Sequence, residues 1–168
     1  MKRPSDNERI WFLKDILQNQ VGYKEALDGK ANVILGVSGV VFGLVLTQLG
    51  AAPNLMFRLA AVALMAATGI SALLCIWTIK MPFMKQKAKQ RLMCYTGFSG
   101  MSQEEYSRSI GKVLDSRERL EDEYLTEIYG LAKNSIEPKY RMVGLSTTIL
   151  TAGLFVSLLL FALGMAMN

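Results

Sequence analysis

Residues Ala31–Gly50 read ANVILGVSGVVFGLVLTQLG, a run without a single charged side chain. At a helical rise of about 1.5 Å per residue, a segment of this length covers the roughly 30 Å hydrocarbon core of a bilayer. The run is therefore predicted to be a membrane-spanning helix over 31–50. Ala51, Ala52, Pro53 and Asn54 follow as a short breaker, since Pro53 has no backbone N–H and Asn54 favours a helix start. A second span is expected over 55–79, with its one charged residue, Arg58, close enough to the end for the long side chain to snorkel to the headgroups. The uncharged run that begins at Met142 is read as a third span over 142–167.

Composition agrees with this reading. Half of the 168 residues are apolar (51%), and they are gathered into blocks, while nearly all charge lies in 1–30 and 80–141. A net charge of +5 could point to nucleic acid, but the Lys and Arg residues flank the apolar blocks, where topology and anionic lipid explain them. No nucleic-acid polymer is expected as a partner. The two cysteines, Cys75 inside an apolar block and Cys94 in a charged segment, lie at different depths and are expected to stay free thiols.

Direction follows from the basic residues. Lys2, Arg3, Arg9, Lys14, Lys24 and Lys30 precede the first span, and Lys80, Lys85, Lys87, Lys89, Arg91, Lys139 and Arg141 flank the second and third. The N-terminus and residues 80–141 are accordingly predicted to be cytoplasmic, with the C-terminus outside. A cleavable signal peptide fits the first run poorly, because polar residues 1–30 precede it and no A-x-A-like site follows.

The polar stretches also read as helices. Ser5-Asp6-Asn7-Glu8 is a capping-box pattern, followed by Ile10, Leu13, Leu17 and Val21 at helical spacing with Trp11 and Phe12 beside them. This amphipathic helix over 1–30 has two open uses, packing on the protein's own cytoplasmic helices or lying on the membrane surface. Met81-Pro82 should end the second span, and the basic residues Lys85 to Arg91 should orient it and touch lipid. Residues 91–100, with two glycines and two aromatics, suggest an irregular ordered loop. Ser102 to Glu105 repeats the capping box, opening a helix with Tyr106, Ile110, Val113 and Leu114 on one side. A further helix carries Leu120, Tyr124, Ile128, Leu131 and Ile136, and Pro138 is expected to break or bend the chain before the third span. The fold class is thus an all-α membrane protein: three transmembrane helices, an N-terminal amphipathic helix (1–30) and a cytoplasmic helical segment between the second and third spans (80–141).

Catalytic patterns are missing. The chain has no His, which removes the usual zinc spacings and the His-based nucleophile arrangements. Glu118, Glu121, Asp122 and Glu123 cluster among basic residues on a helix, the pattern of a solvated face. Gly97-Phe98-Ser99-Gly100 is too short for a phosphate-binding loop of the GxxxxGK type. No enzyme, no catalytic residue, no metal and no resident cofactor is expected.

The spans are more informative. Asn32, Gly36, Gly39 and Gly43 share one face of the first, and Gly39 and Gly43 form a GxxxG pair that admits another helix backbone closely. Gly144, Thr148 and Ala152 make a similar face on the third, with Thr147 and Thr151 nearby. Packing within one molecule, contact between protomers and a pore lining all remain open uses for these helix-packing faces.

Three landmarks carry a family resemblance. Asp28-Gly29-Lys30-Ala31 opens the first span. Phe98-Ser99-Gly100-Met101-Ser102-Gln103-Glu104-Glu105-Tyr106 joins a loop to a helix start. Glu127-Ile128-Tyr129, then Lys139-Tyr140-Arg141, precede the last span. In this order, and in these places relative to the spans, they make the chain resemble the membrane effectors of the Pycsar antiphage system. Two positions depart from that pattern: Ser38 stands where an Asn is frequent, and Pro138 interrupts a helix that is usually continuous. The resemblance implies an antiviral effector of the bacterial inner (cytoplasmic) membrane that self-associates. It would sense cUMP or cCMP made by a partner pyrimidine nucleotide cyclase and impair the membrane, causing abortive infection. A ligand with one phosphate and a flat base needs cations or N–H donors and an aromatic face. Arg91, Tyr95, Phe98, Tyr106 and Arg108 offer these near one loop, and Lys30, Lys139, Tyr140 and Arg141 at the membrane boundary. The competing reading is a constitutive membrane scaffold whose cytoplasmic helices dock a partner protein.

Overall fold

The computed structural model of the chain describes residues 6–51, 54–80, 92–93, 98 and 100–167. They are all-helical: α1 (Asp6–Gln48), a 3-10 turn (Leu49–Ala51), α2 (Leu55–Lys80), α3 (Gln103–Leu114), α4 (Arg117–Leu131), a π-helical turn (Ala132–Ile136) and α5 (Glu137–Ala166). Three helices are long and apolar enough to cross a bilayer, within Asn7–Gln48, Leu55–Lys80 and Arg117–Ala166. The chain separates into two compact units, Met1–Glu25 with Pro82–Pro138, and Ala26–Met81 with Lys139–Asn168.

Two expectations about helix ends are refined. The amphipathic helix and the first span are one uninterrupted helix, α1. Only Gly22 and Gly29 weaken the join, and each costs about 1 kcal/mol relative to alanine, too little to stop a long helix. Pro138 does not end the chain's helical course either. In an α register Pro138 could not bond the residue 134 carbonyl and would crowd it. The preceding turn widens instead, so that the Glu137 N–H bonds Ala132 O, five residues back. Asn134 Nδ2 donates to Gly130 O at 3.0 Å, and Lys133 Nζ meets Glu137 Oε2 at 2.7 Å across the widened turn.

The unit formed by 26–81 and 139–168 is built for lipid as its solvent. Large apolar side chains point outward, as Val33, Leu44, Leu73, Trp77 and Leu158 do. Its largest fully buried side chains are small and mostly polar: Thr68, Thr78, Cys75, Ser38, Ser71 and Ser146. With lipid tails as apolar as leucine, burying leucine between helices gains little, so small residues that bring backbones close take the interior. Gly153 on α5 lies so near Ala67 on α2 that a Cβ there would sit 2.1 Å from the Ala67 Cβ. Gly164 faces Met56 and Phe57, where an added Cβ would meet atoms at 3.1 and 3.2 Å.

Asn54 begins α2 as its composition suggests: its Oδ1 accepts from Phe57 N at 3.1 Å, a helix N-cap. Its Nδ2 donates to Gly164 O at 3.3 Å, tying the start of α2 to the end of α5. The Phe57 and Phe161 rings meet edge to face there, 4.8 Å apart.

In the other unit the second capping box forms: Ser102 Oγ accepts from Glu105 N at 3.2 Å and Glu105 Oε2 from Ser102 N at 3.0 Å. The Leu92 side chain is buried, and its N–H donates to Glu123 Oε1 on α4 at 2.8 Å. Ile10, Leu13, Ile16 and Leu17 of α1 are half-buried, while Trp11 and Phe12 are exposed and Lys14 Nζ lies 4.9 Å over the Trp11 ring. Ser5, Pro53, the basic run 85–91 and most of 91–100 lie outside the described residues.

Candidate functional site

Two places merit description, one in each unit. The first is a polar seam where the three spans meet. Ser38 comes from α1, Ser71 and Cys75 from α2, and Ser146 from α5, and all four are fully buried. The Ser71 and Ser146 hydroxyls lie 2.7 Å apart, and each also reaches the other's main-chain carbonyl, at 3.2 and 3.1 Å. Ser38 Oγ lies 3.5 Å from Ser71 Oγ, and Cys75 Sγ lies 3.1 Å from Ser146 Oγ. Every hydroxyl in the seam therefore has a partner, which is what a buried polar group in a bilayer requires.

Towards the starts of the first and third spans, Ala31, Cys75 and Val143 pack together, and beyond them the Lys139 ammonium pairs with the Asp28 carboxylate. Lys139 is almost wholly buried (4% exposed), whereas about a third of the Asp28 side chain is open. Helical spacing explains the line. On α5, Lys139, Val143 and Ser146 stand four and three residues apart and share one buried face.

The helix faces singled out for packing do not enter this interior. A Cβ added at Gly36, Gly39, Gly43 or Gly144 would meet nothing within 4 Å, and Asn32, Thr148 and Ala152 are exposed. Thr148 Oγ1 turns back to Gly144 O at 3.0 Å. Both faces are thus unused by the chain's own spans. Lys30, Tyr140 and Arg141 are exposed, and Lys139 is committed to Asp28.

The second place is the start of α3. Phe98 and Tyr106, both half-buried, pack with ring centroids 4.9 Å apart and planes tilted by 47°. Tyr106 sits one turn into α3, whose start the capping box fixes. Arg108 is exposed on the same helix, and Arg91 and Tyr95 lie outside the described residues. Among the described residues, no group of three or more His, Cys, Asp and Glu could hold a metal ion.

The seam and the Asp28–Lys139 pair escaped the sequence reading. A usable signal existed, because serines and a thiol inside apolar helices, and a charged pair at their mouths, are costly unless partnered. Which of the many Ser and Thr positions face each other is a property of helix rotation, which composition does not carry.

The family model described as the Pycsar effector protein domain matches residues 12–166, nearly the whole chain, and such domains are non-catalytic. No curated protein and no solved structure matches.

Proposed function

Because the chain belongs to the Pycsar effector family, we propose that it is an antiphage defence effector of the bacterial inner membrane, activated by cUMP or cCMP from a partner cyclase. Binding shifts the helices between two packings, the membrane is impaired, and the infected cell dies before phage matures. The observation that carries this reading is the family match across 12–166. The N-terminus and the segment between the second and third spans are cytoplasmic in this reading, where such a nucleotide is made.

For the ligand, the Phe98–Tyr106 ring pair supports a base-stacking surface, with Arg91, Tyr95 and Arg108 as the neighbouring candidates for phosphate and base contacts. The boundary group is less available, since Lys139 is already neutralised by Asp28. The test is reconstitution in potassium-loaded liposomes with cUMP, cCMP and cAMP added separately, following potassium release and thermal stability. One pyrimidine nucleotide is expected to trigger both release and a rise in melting temperature. Silence towards all three would remove the reading. Tyr106→Ala should weaken the response about tenfold, since stacking of one base is worth about 1–3 kcal/mol.

Self-association is part of the proposal, and the open Gly36, Gly39 and Gly43 face of α1 supports it as the seam between protomers. Gly39→Leu should not lower the melting temperature of the solubilised protein, as a Cβ there would meet nothing within 4 Å and leucine favours a helix over glycine by up to about 1 kcal/mol. It should also reduce cross-linked oligomers and nucleotide-triggered release together. Unchanged oligomers would move the seam elsewhere.

The scaffold reading is favoured by one observation, the exposure of adjacent Trp11 and Phe12 at 62% and 65%. A nucleotide cyclase encoded beside this chain would speak against it.

A further inference from the structure

We infer that the interior of the three-helix unit is itself the path that opens, a closed file of hydroxyls that admits water and small inorganic ions, with Asp28–Lys139 as its latch. The inference deepens the proposed membrane effect and rests on it. It begins with what closes the axis. At the level of Ser38, Ser71, Cys75 and Ser146 the three helices meet on small side chains that are all fully buried, three of them hydroxyls.

That choice of residues sets the energetics of wetting. A constriction of large apolar side chains resists hydration and gates by dewetting. A constriction of hydroxyls does not, because a hydrogen bond lost between two serines when helices part is regained from an entering water. The Ser71 and Ser146 hydroxyls lie within hydrogen-bond reach of each other and of each other's carbonyls, so separating these helices exposes donors and acceptors on both walls. Contributions of single interhelical hydrogen bonds in bilayers average about 0.6 kcal/mol, so the seam holds the helices together without locking them.

The charged pair supplies the switch. Asp28 on α1 and Lys139 on α5 lie within one unit and at one end of the seam. Together they neutralise a mouth that either charge alone would keep hydrated. While the pair is closed, α1 and α5 are pinned where they would otherwise separate; once it opens, each charge draws water toward Ala31, Val143 and Cys75. A path between only three helices is narrow, so potassium should pass and a bulky dye should not, in contrast to a breach between protomers or a torn bilayer.

Cys75 is a native reporter, since its thiol is fully buried in the seam. The experiment uses the full chain with Cys94→Ser, in liposomes loaded with potassium and calcein. A charged, water-soluble methanethiosulfonate probes Cys75, and the parent is compared with Asp28→Lys and with the swapped pair Asp28→Lys/Lys139→Asp. In the parent, Cys75 should be silent and potassium retained. Asp28→Lys, which sets two ammoniums face to face, should release potassium but not calcein and raise the Cys75 reaction rate at least about tenfold. The swapped pair should restore both readings.

Potassium release with Cys75 silent would overturn the inference by placing the path outside the three-helix interior. A folded Asp28→Lys protein that neither leaks nor exposes Cys75 would overturn it as well. Should Asp28→Lys fail to fold, Lys139→Gln, which removes one charge at similar size, takes its place under the same outcomes. Adding cUMP, cCMP and cAMP to the parent separates the two claims. Leakage through Asp28→Lys with no nucleotide response removes only the nucleotide reading, and nucleotide-triggered leakage with Cys75 silent removes only the path.

Discussion

Asp28→Ala is expected to lower the stability of the detergent-solubilised protein by about 3–5 kcal/mol, the usual cost of leaving one member of a buried ion pair uncompensated. The Lys139 side chain is only 5% exposed, so its ammonium cannot recover full hydration where it stands. The asymmetry of the pair sharpens the expectation. Asp28 is more open, at 31%, so Lys139→Ala, which leaves the carboxylate near water, should be milder than Asp28→Ala. The double replacement Asp28→Ala/Lys139→Met should recover most of the loss, since an apolar pair of similar volume needs no desolvation. Thermal unfolding in micelles, followed by circular dichroism, measures all three. An Asp28→Ala protein as stable as the parent would mean that Lys139 reaches water by itself.

Gly153→Ala should produce the second large effect. A methyl group placed 2.1 Å from the Ala67 Cβ and 3.6 Å from its Cα cannot be absorbed by a rotamer change, because its neighbour is a methyl fixed to the α2 backbone. The helices must move apart, which places the expected loss in the range of about 1–3 kcal/mol typical of overpacking. Ala67→Gly in the same chain removes the opposing methyl and should restore the parent melting temperature, whereas Ala67→Gly alone should cost about 1 kcal/mol, the difference in helix propensity between the two residues. Failure of that rescue would show that α2 and α5 do not approach at this point. Gly39→Leu is the contrasting case, a larger substitution on a face that nothing else among the described residues occupies. The pair of results separates glycines that bring this chain's own spans together from glycines left for another molecule.

The resting contacts and the family's activity make compatible demands on one small bundle. A membrane effector must be harmless before its signal arrives, and the reciprocal serine bonds and the Asp28–Lys139 pair leave the seam without an unpartnered hydroxyl. Under the proposed function it must also be able to change, and the serine hydrogen bonds are of a kind that entering water can replace.

Much of the architecture was legible in the residues. Uncharged runs of span length, separated by Pro53 and Asn54 and by a charged segment, define three membrane crossings whatever their packing, because apolar length against bilayer thickness is a one-dimensional comparison. The Ser102–Glu105 box and the Asn54 cap are equally local and form as their spacing predicts. Local reasoning weakened where two local preferences competed. Pro138 argues for a break or a bend, and one widened turn accommodates it while the helical course continues.

What the chain alone determined is the solvent of each segment and the number of crossings, since these depend on composition along a line. Which side of each span faces its neighbours was decided only by tertiary packing. For Gly36, Gly39 and Gly43 the residues left packing within the molecule and between molecules equally open, whereas in the structure Ser38, Ser71, Cys75 and Ser146 hold the interior and a Cβ added at those glycines would meet nothing within 4 Å. The physical reason is that in lipid an unpaired hydroxyl is costly and an exposed glycine is not, so partnering the polar groups sets the rotation of the helices, and such partners lie 33 to 75 residues apart in the chain.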